Sequence, residues 1–156
     1  MNSSKIIKKH YDKYIKDPIE YLNIEEPTDI YKWNFALVAP KDTPWEDEIY
    51  NGIIEFPSNY PFSPPIIKFA PGLYHPNVYK DGKVCISILH EGKDQFNYED
   101  ISERWNPSHS VNSILMSILT ILSTPNFESP ANVDASIMWR NNWIEYKKII
   151  YKVIMN

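Results

Sequence analysis

The apolar residues of this chain repeat with two different periods, and the order of those periods limits the fold more than any other feature. Ile6, Ile7, Tyr11, Tyr14 and Ile15 recur at helical spacing and predict a helix over residues 4–16. Asp17-Pro18 ends it, because a residue before proline is pushed out of the α region. The period then changes. Tyr31, Trp33, Phe35 and Leu37 alternate with Lys32 and Asn34, which predicts a strand over 31–38. Residues 49–56, with Ile49, Ile53, Ile54 and Phe56, and the short run 66–69 predict two more. The proline-bounded segments 40–44 and 57–61 are turns between them, and such short turns imply an antiparallel meander. Helical period returns at 111–122, where Val111, Ile114, Leu115, Ile118, Leu119 and Leu122 share a face. Ser110 is the expected N-cap of that helix, and Pro125 lies just past its end. A short helix near 133–139 follows. A last one near 142–155 carries Trp143, Tyr146, Ile150 and Val153 on one face. Helix, sheet, irregular segment, helices is an α+β order.

The 156 residues suit one domain without internal repeat or linker, taken as 1–156. With 43% hydrophobic residues, a chain of this size buries roughly 70% of its unfolded surface and needs no metal or disulfide to fold. A single cysteine excludes an internal disulfide and fits a reducing compartment. The net charge of −4 and the lack of a basic stripe argue against nucleic acid as a partner. Met1 to Lys16 lacks the apolar block of a signal peptide, and no stretch approaches the ~20 apolar residues of a membrane span. A soluble intracellular protein without direct membrane insertion is expected. Cys85, His10, His75, His90 and His109 lack the paired spacing of metal ligands, so no metal is expected.

The chemically informative stretch is 75–89. Asp81-Gly82 marks a tight turn with positive φ. An irregular segment of this kind is expected to run over the surface, because buried irregular backbone strands its polar groups. Taken alone, Cys85 between Val84 and Ile86 has the look of a small buried hydrophobe, His75 of a structural histidine and Asn77 of a turn residue. Together, His75-Pro76-Asn77 followed after seven residues by Cys85 resembles the signature of ubiquitin-conjugating enzymes. Tyr60-Pro61-Phe62-Ser63-Pro64-Pro65 is similar to that family's tyrosine–proline loop, and Trp105-Asn106-Pro107 to its tryptophan loop. Thr124-Pro125-Asn126 and Ser129-Pro130-Ala131-Asn132 match later landmarks, so the resemblance covers nearly the whole chain in order. The acidic insertion 91–104 and the runs Cys-Ile-Ser-Ile-Leu-His and Pro-Ala-Asn-Val-Asp-Ala resemble the G subfamily, which includes enzymes of endoplasmic-reticulum-associated degradation.

The resemblance implies a fold of an N-terminal helix, a four-stranded antiparallel meander sheet, an active-site loop segment and three further helices. It also implies two acyl transfers. The Cys85 thiolate takes ubiquitin from the activating enzyme as a thioester, and a lysine then attacks that thioester, building chains for proteasomal degradation. The activating enzyme consumes the ATP, so no cofactor is implied. Asn77 is the implied oxyanion donor or the brace of the surrounding loop, with His75, Pro76 and His90 in support. Where many members have an aspartate after the long helix, this chain has Ser129 with Glu128 beside it, and Glu128 or the acidic loop is the candidate for deprotonating the lysine. Phe62 and Pro107 fall where the family meets its ligases, expected here to be of RING type. Lys5 and Lys9 fall where it meets the activating enzyme. A cytoplasmic location with recruitment to the endoplasmic reticulum by partners is expected. The residues also leave open a non-catalytic module of this fold, a conjugating enzyme for another ubiquitin-like protein, and a thiol hydrolase with His75 as base.

Overall fold

The computed structural model describes residues 2–91 and 104–155, so most of the acidic insertion lies outside the described residues. Helix α1 spans Ser3–Lys16, capped by the Asn2 side chain, which accepts from Ser4 N–H. The strands are β1, Leu22–Ile24, β2, Lys32–Val38, β3, Ile49–Glu55, and β4, Ile66–Phe69. They form one antiparallel sheet in the order β1-β2-β3-β4. The chain continues through a 3₁₀ turn, Ser87–Leu89, to α2, Val111–Ser123, α3, Val133–Asn141, and α4, Trp143–Met155.

β1 is the strand that pattern reading overlooks. Three residues are too few to show alternation. The strand pairs with β2 and is also held by α1, where the Tyr14 hydroxyl accepts from Ile24 N–H at 3.0 Å and donates to the Leu22 carbonyl at 3.3 Å. The β2–β3 register sets Phe35 opposite Gly52. A Cβ at Gly52 would lie 2.4 Å from the Phe35 ring, so glycine is needed there for close approach.

Trp33, Phe35 and Leu37 of β2 are buried as the alternation requires, and they share one core with Ile54, Ile67 and Phe69. α1 adds Ile7 and Tyr14, and α2 adds Ile114, Leu115, Ile118 and Leu122. Each such aliphatic side chain stabilises the fold by roughly 1.5–3 kcal/mol. The Ser110 side chain accepts from Ser113 N–H and the Ser113 hydroxyl reaches back, a reciprocal cap on α2. α3 and α4 pack through aromatic rings, with Trp139 5.0 Å from Tyr146, and Trp45 extends the cluster, 5.6 Å from Trp139 and 5.3 Å from His75. Among the described residues no helix is long and apolar enough to cross a membrane.

Candidate active site

The segment 73–91 builds the site on the free edge of the sheet. Phe69 N–H donates to the Gly82 carbonyl and Val84 N–H to the Ile67 carbonyl, so the segment covers the edge of β4. Asp81-Gly82 closes the expected turn, with Gly82 at φ 100° and its N–H bonded to the Tyr79 carbonyl. A Cβ at Gly82 would meet the Phe69 carbonyl oxygen at 1.9 Å, which glycine alone avoids.

A small ladder results. Val78 pairs with Val84, and Cys85 N–H donates to the Asn77 carbonyl at 2.8 Å. Alternation sends Val78 and Val84 into the core, both almost fully buried, and turns Tyr79 and Cys85 the other way. Cys85 is half-buried, so its sulfur is neither lost in the core nor fully exposed. The 3₁₀ turn after it folds the chain back, and His90 Nε2 comes within 3.4 Å of Cys85 Sγ. The contact can run either way: a thiol donates to a neutral ring, and a ring N–H donates to a thiolate. Tyr79 faces the same sulfur. The charge on that sulfur, when it is a thiolate, is the main influence holding Tyr79 above its usual range. Pattern reading missed Tyr79, although counting back across the Asp81-Gly82 turn puts it on the Cys85 side of the ladder.

The expectation that the segment runs over the surface fails for its first half. His75, Pro76, Asn77 and Val78 are buried. Their polar groups are satisfied locally, which removes the cost on which that expectation rested. His75 Nδ1 accepts from Asn77 N–H at 2.9 Å, so the ring proton sits on Nε2, which donates to the Ile121 carbonyl at 2.6 Å. Burial holds the His75 pKa down at about 4 despite that carbonyl. With both nitrogens engaged away from the sulfur, His75 cannot be the base of a thiol hydrolase. Asn77 is 2% exposed. Its Oδ1 accepts from Asn126 N–H at 2.9 Å and its Nδ2 donates to the Asn126 carbonyl at 2.7 Å. The loop after α2 is thereby clasped to the Cys85 segment, and Asn132 N–H adds a bond to the Pro76 carbonyl.

The remaining candidates sit apart from the sulfur's immediate contacts. Glu128 is exposed, its N–H bonded to Asn126 Oδ1, and Ser129 adopts a left-handed φ of 49°. Phe62 is 65% exposed rather than packed in the core, and Pro107 is exposed too. Trp105 joins their loops by donating Nε1–H to the Pro61 carbonyl at 3.0 Å. Lys5 and Lys9 are exposed on α1. A shallow groove of about 290 Å³ lies between the 3₁₀ turn and α2, lined by Ile86, the residue after Cys85, with Ile88, Met116, Ser117 and Ile121 among others. Among the described residues no cluster of His, Cys, Asp or Glu could hold a metal.

A half-buried thiol beside a histidine nitrogen, on a braced loop whose next residue, Ile86, lines a shallow groove, suits acyl transfer to and from sulfur. Comparison with known proteins agrees. Residues 6–154 match the profile described as ubiquitin-conjugating enzyme. Ubiquitin-conjugating enzyme E2 14 of Arabidopsis thaliana is 43% identical over 155 residues, covering 97% of this chain and 93% of the relative. The probable ubiquitin-conjugating enzyme E2 7 of Caenorhabditis elegans is 43% identical over 155 residues, covering 97% and 94%. Ubiquitin-conjugating enzyme E2 G2 of Homo sapiens is 45% identical over 125 residues, covering 80% and 76%. These likenesses run through the whole fold that holds Cys85 in place, and the chain belongs to the ubiquitin-conjugating enzyme family.

Proposed function

We propose that Cys85 is the sulfur that carries ubiquitin, and that the protein is a G-type member building chains for degradation with a RING-type ligase. The observation that carries the first part is the half-buried Cys85 Sγ, 3.4 Å from His90 Nε2, one residue before Ile86, which lines the α2 groove. The groove suits an extended C-terminal tail leading to the sulfur. The thiolate displaces the activating enzyme's thiol from ubiquitin's C-terminal carbonyl; one thioester forms as another breaks, so no cofactor is required.

In the second transfer a lysine amine attacks the Cys85 thioester, the oxyanion collapses, and the thiolate leaves. Asn77 acts chiefly as a positioning residue: both ends of its amide already hold Asn126. The second N–H of Nδ2 remains the candidate donor toward the oxyanion. Glu128, exposed on the clasped loop, is the candidate to orient the lysine and accept its proton. Phe62 and Pro107 form the ligase-facing tip, and Lys5 and Lys9 the face toward the activating enzyme. The G-type assignment rests on the acidic insertion and on the likeness to E2 G2, and recruitment by partners to the endoplasmic reticulum follows from it.

Non-reducing electrophoresis tests the core of this reading. With activating enzyme, ubiquitin and ATP, the protein is expected to form an adduct that thiols remove. Cys85→Ser should give a thiol-resistant ester and Cys85→Ala no adduct. A reducible adduct on Cys85→Ala protein would sink the assignment.

A further inference from the structure

The outer face of α4 has a pattern that acyl transfer does not use. Ile144 and Tyr151 are 67% and 64% exposed. They lie about two turns apart and so fall on one line along the helix. Lys147 flanks that line on one side, and Lys148 and Lys152 on the other, all three exposed. Tyr146 and Ile150, on the opposite side, are buried in the core. None of the three lysines is paired with a carboxylate among the described residues, where the one ion pair is Lys68–Asp81. The helix carries a single acidic residue, Glu145, half-buried and beside the Lys152 edge. Trp143, 39% exposed, stacks on Tyr146 at the helix start. A basic, apolar-centred helix face is thus carried by a protein whose net charge is −4.

We propose that this face of α4 rests on an anionic membrane surface. An exposed apolar line flanked by lysines on both sides fits a headgroup layer: the apolar side chains reach the acyl boundary, and the lysine stems let the ammonium groups turn up to the phosphates. Aromatic rings with a polar tip or N–H, such as Tyr151 and Trp143, suit the same depth. An acidic protein partner would match the charge equally well. Between its lysines the face offers only two exposed apolar side chains, though, too few for the buried anchor cluster of a protein interface. The attachment is shallow and reversible, worth about fivefold in partition per lysine. It would hold the enzyme at a membrane without a spanning segment and leave Cys85 free.

Flotation with lipid vesicles tests this on the full chain. At low salt, binding to phosphatidylcholine vesicles containing phosphatidylserine is expected, with little binding to phosphatidylcholine alone. At 1 M salt, where the screening length is about 3 Å, binding should collapse. The Lys147→Glu, Lys148→Glu, Lys152→Glu triple variant should lose about a hundredfold or more. The Ile144→Ser, Tyr151→Ser variant should also bind more weakly. Because all five side chains are exposed, circular dichroism and Cys85 charging should match the wild type, which separates lost docking from lost fold. The proposal is overturned if wild-type protein ignores anionic vesicles at low salt. Unchanged binding by the triple variant, or a preference for soluble oligo-glutamate over vesicles, would overturn it too.

Discussion

The imidazole of His75 shows how a motif residue can matter without touching the reaction. It is fully buried and neutral, with one nitrogen accepting from Asn77 and the other donating to Ile121. Its pKa of about 4 lies below the ordinary 6.5 because burial penalises the charged ring. The unfolded chain therefore binds a proton between those values that the folded protein does not. The stability due to this group is full above about pH 6.5 and is lost as the pH falls toward 4, up to about 3 kcal/mol. The NMR signals of His75 are expected to stay those of a neutral ring down to about pH 5 while the protein remains folded. Titration near 6.5 would contradict the geometry. The motif spells out the histidine, but only the packing of α2 against it explains the choice of residue.

At the scale of elements, two devices hold the site, and they should fail differently. The reciprocal cap of Ser110 and Ser113 starts α2. Ser110→Ala should cost about 1 kcal/mol, a drop of about 2–4 °C in melting temperature, with Cys85 charging unchanged. The Asn77–Asn126 clasp ties the loop after α2 to the Cys85 segment. Asn77→Ala removes two hydrogen bonds and leaves the Asn126 backbone unpartnered there, so about 1–3 kcal/mol should be lost along with slower lysine discharge. Thermal melts beside single-turnover discharge distinguish bracing from pure oxyanion donation: an unchanged melting temperature with slow discharge would leave donation as the role of Asn77.

For the whole molecule, the arrangement matters more than any one element. Residues from segments 60–62 and 105–107 meet at one tip because Trp105 packs on Tyr60 and bonds the Pro61 carbonyl. Phe62 projects from that tip while the core is complete without it. Phe62→Ala should therefore change stability by no more than about 0.5 kcal/mol and leave charging intact. Ligase-stimulated discharge should fall on the order of 30-fold, the effect of losing an interface anchor. Equal stimulation of variant and wild type would remove Phe62 from the ligase face.

Local physics made much of this readable in the chain alone. The periods of 4–16, 31–38 and 111–122 became α1, β2 and α2 with ends shifted by a residue or so, since caps and turns are local chemistry. Asp81-Gly82 announced the turn whose positive φ the fold requires. The His-Pro-Asn and cysteine spacing pointed to the nucleophile. Long-range contacts decided the rest. β1 exists because it pairs with β2 and Tyr14 bonds its backbone, and residues 75–78 could be buried because Ile121 and Asn126 arrive to satisfy them. His90 reaches the sulfur through a 3₁₀ turn, and Tyr79 comes to the same side through a ladder register, neither of which any periodicity encodes. Spacing along a chain can name the residue types that chemistry needs, but distances between them are set only when the core closes and each buried polar group finds its partner.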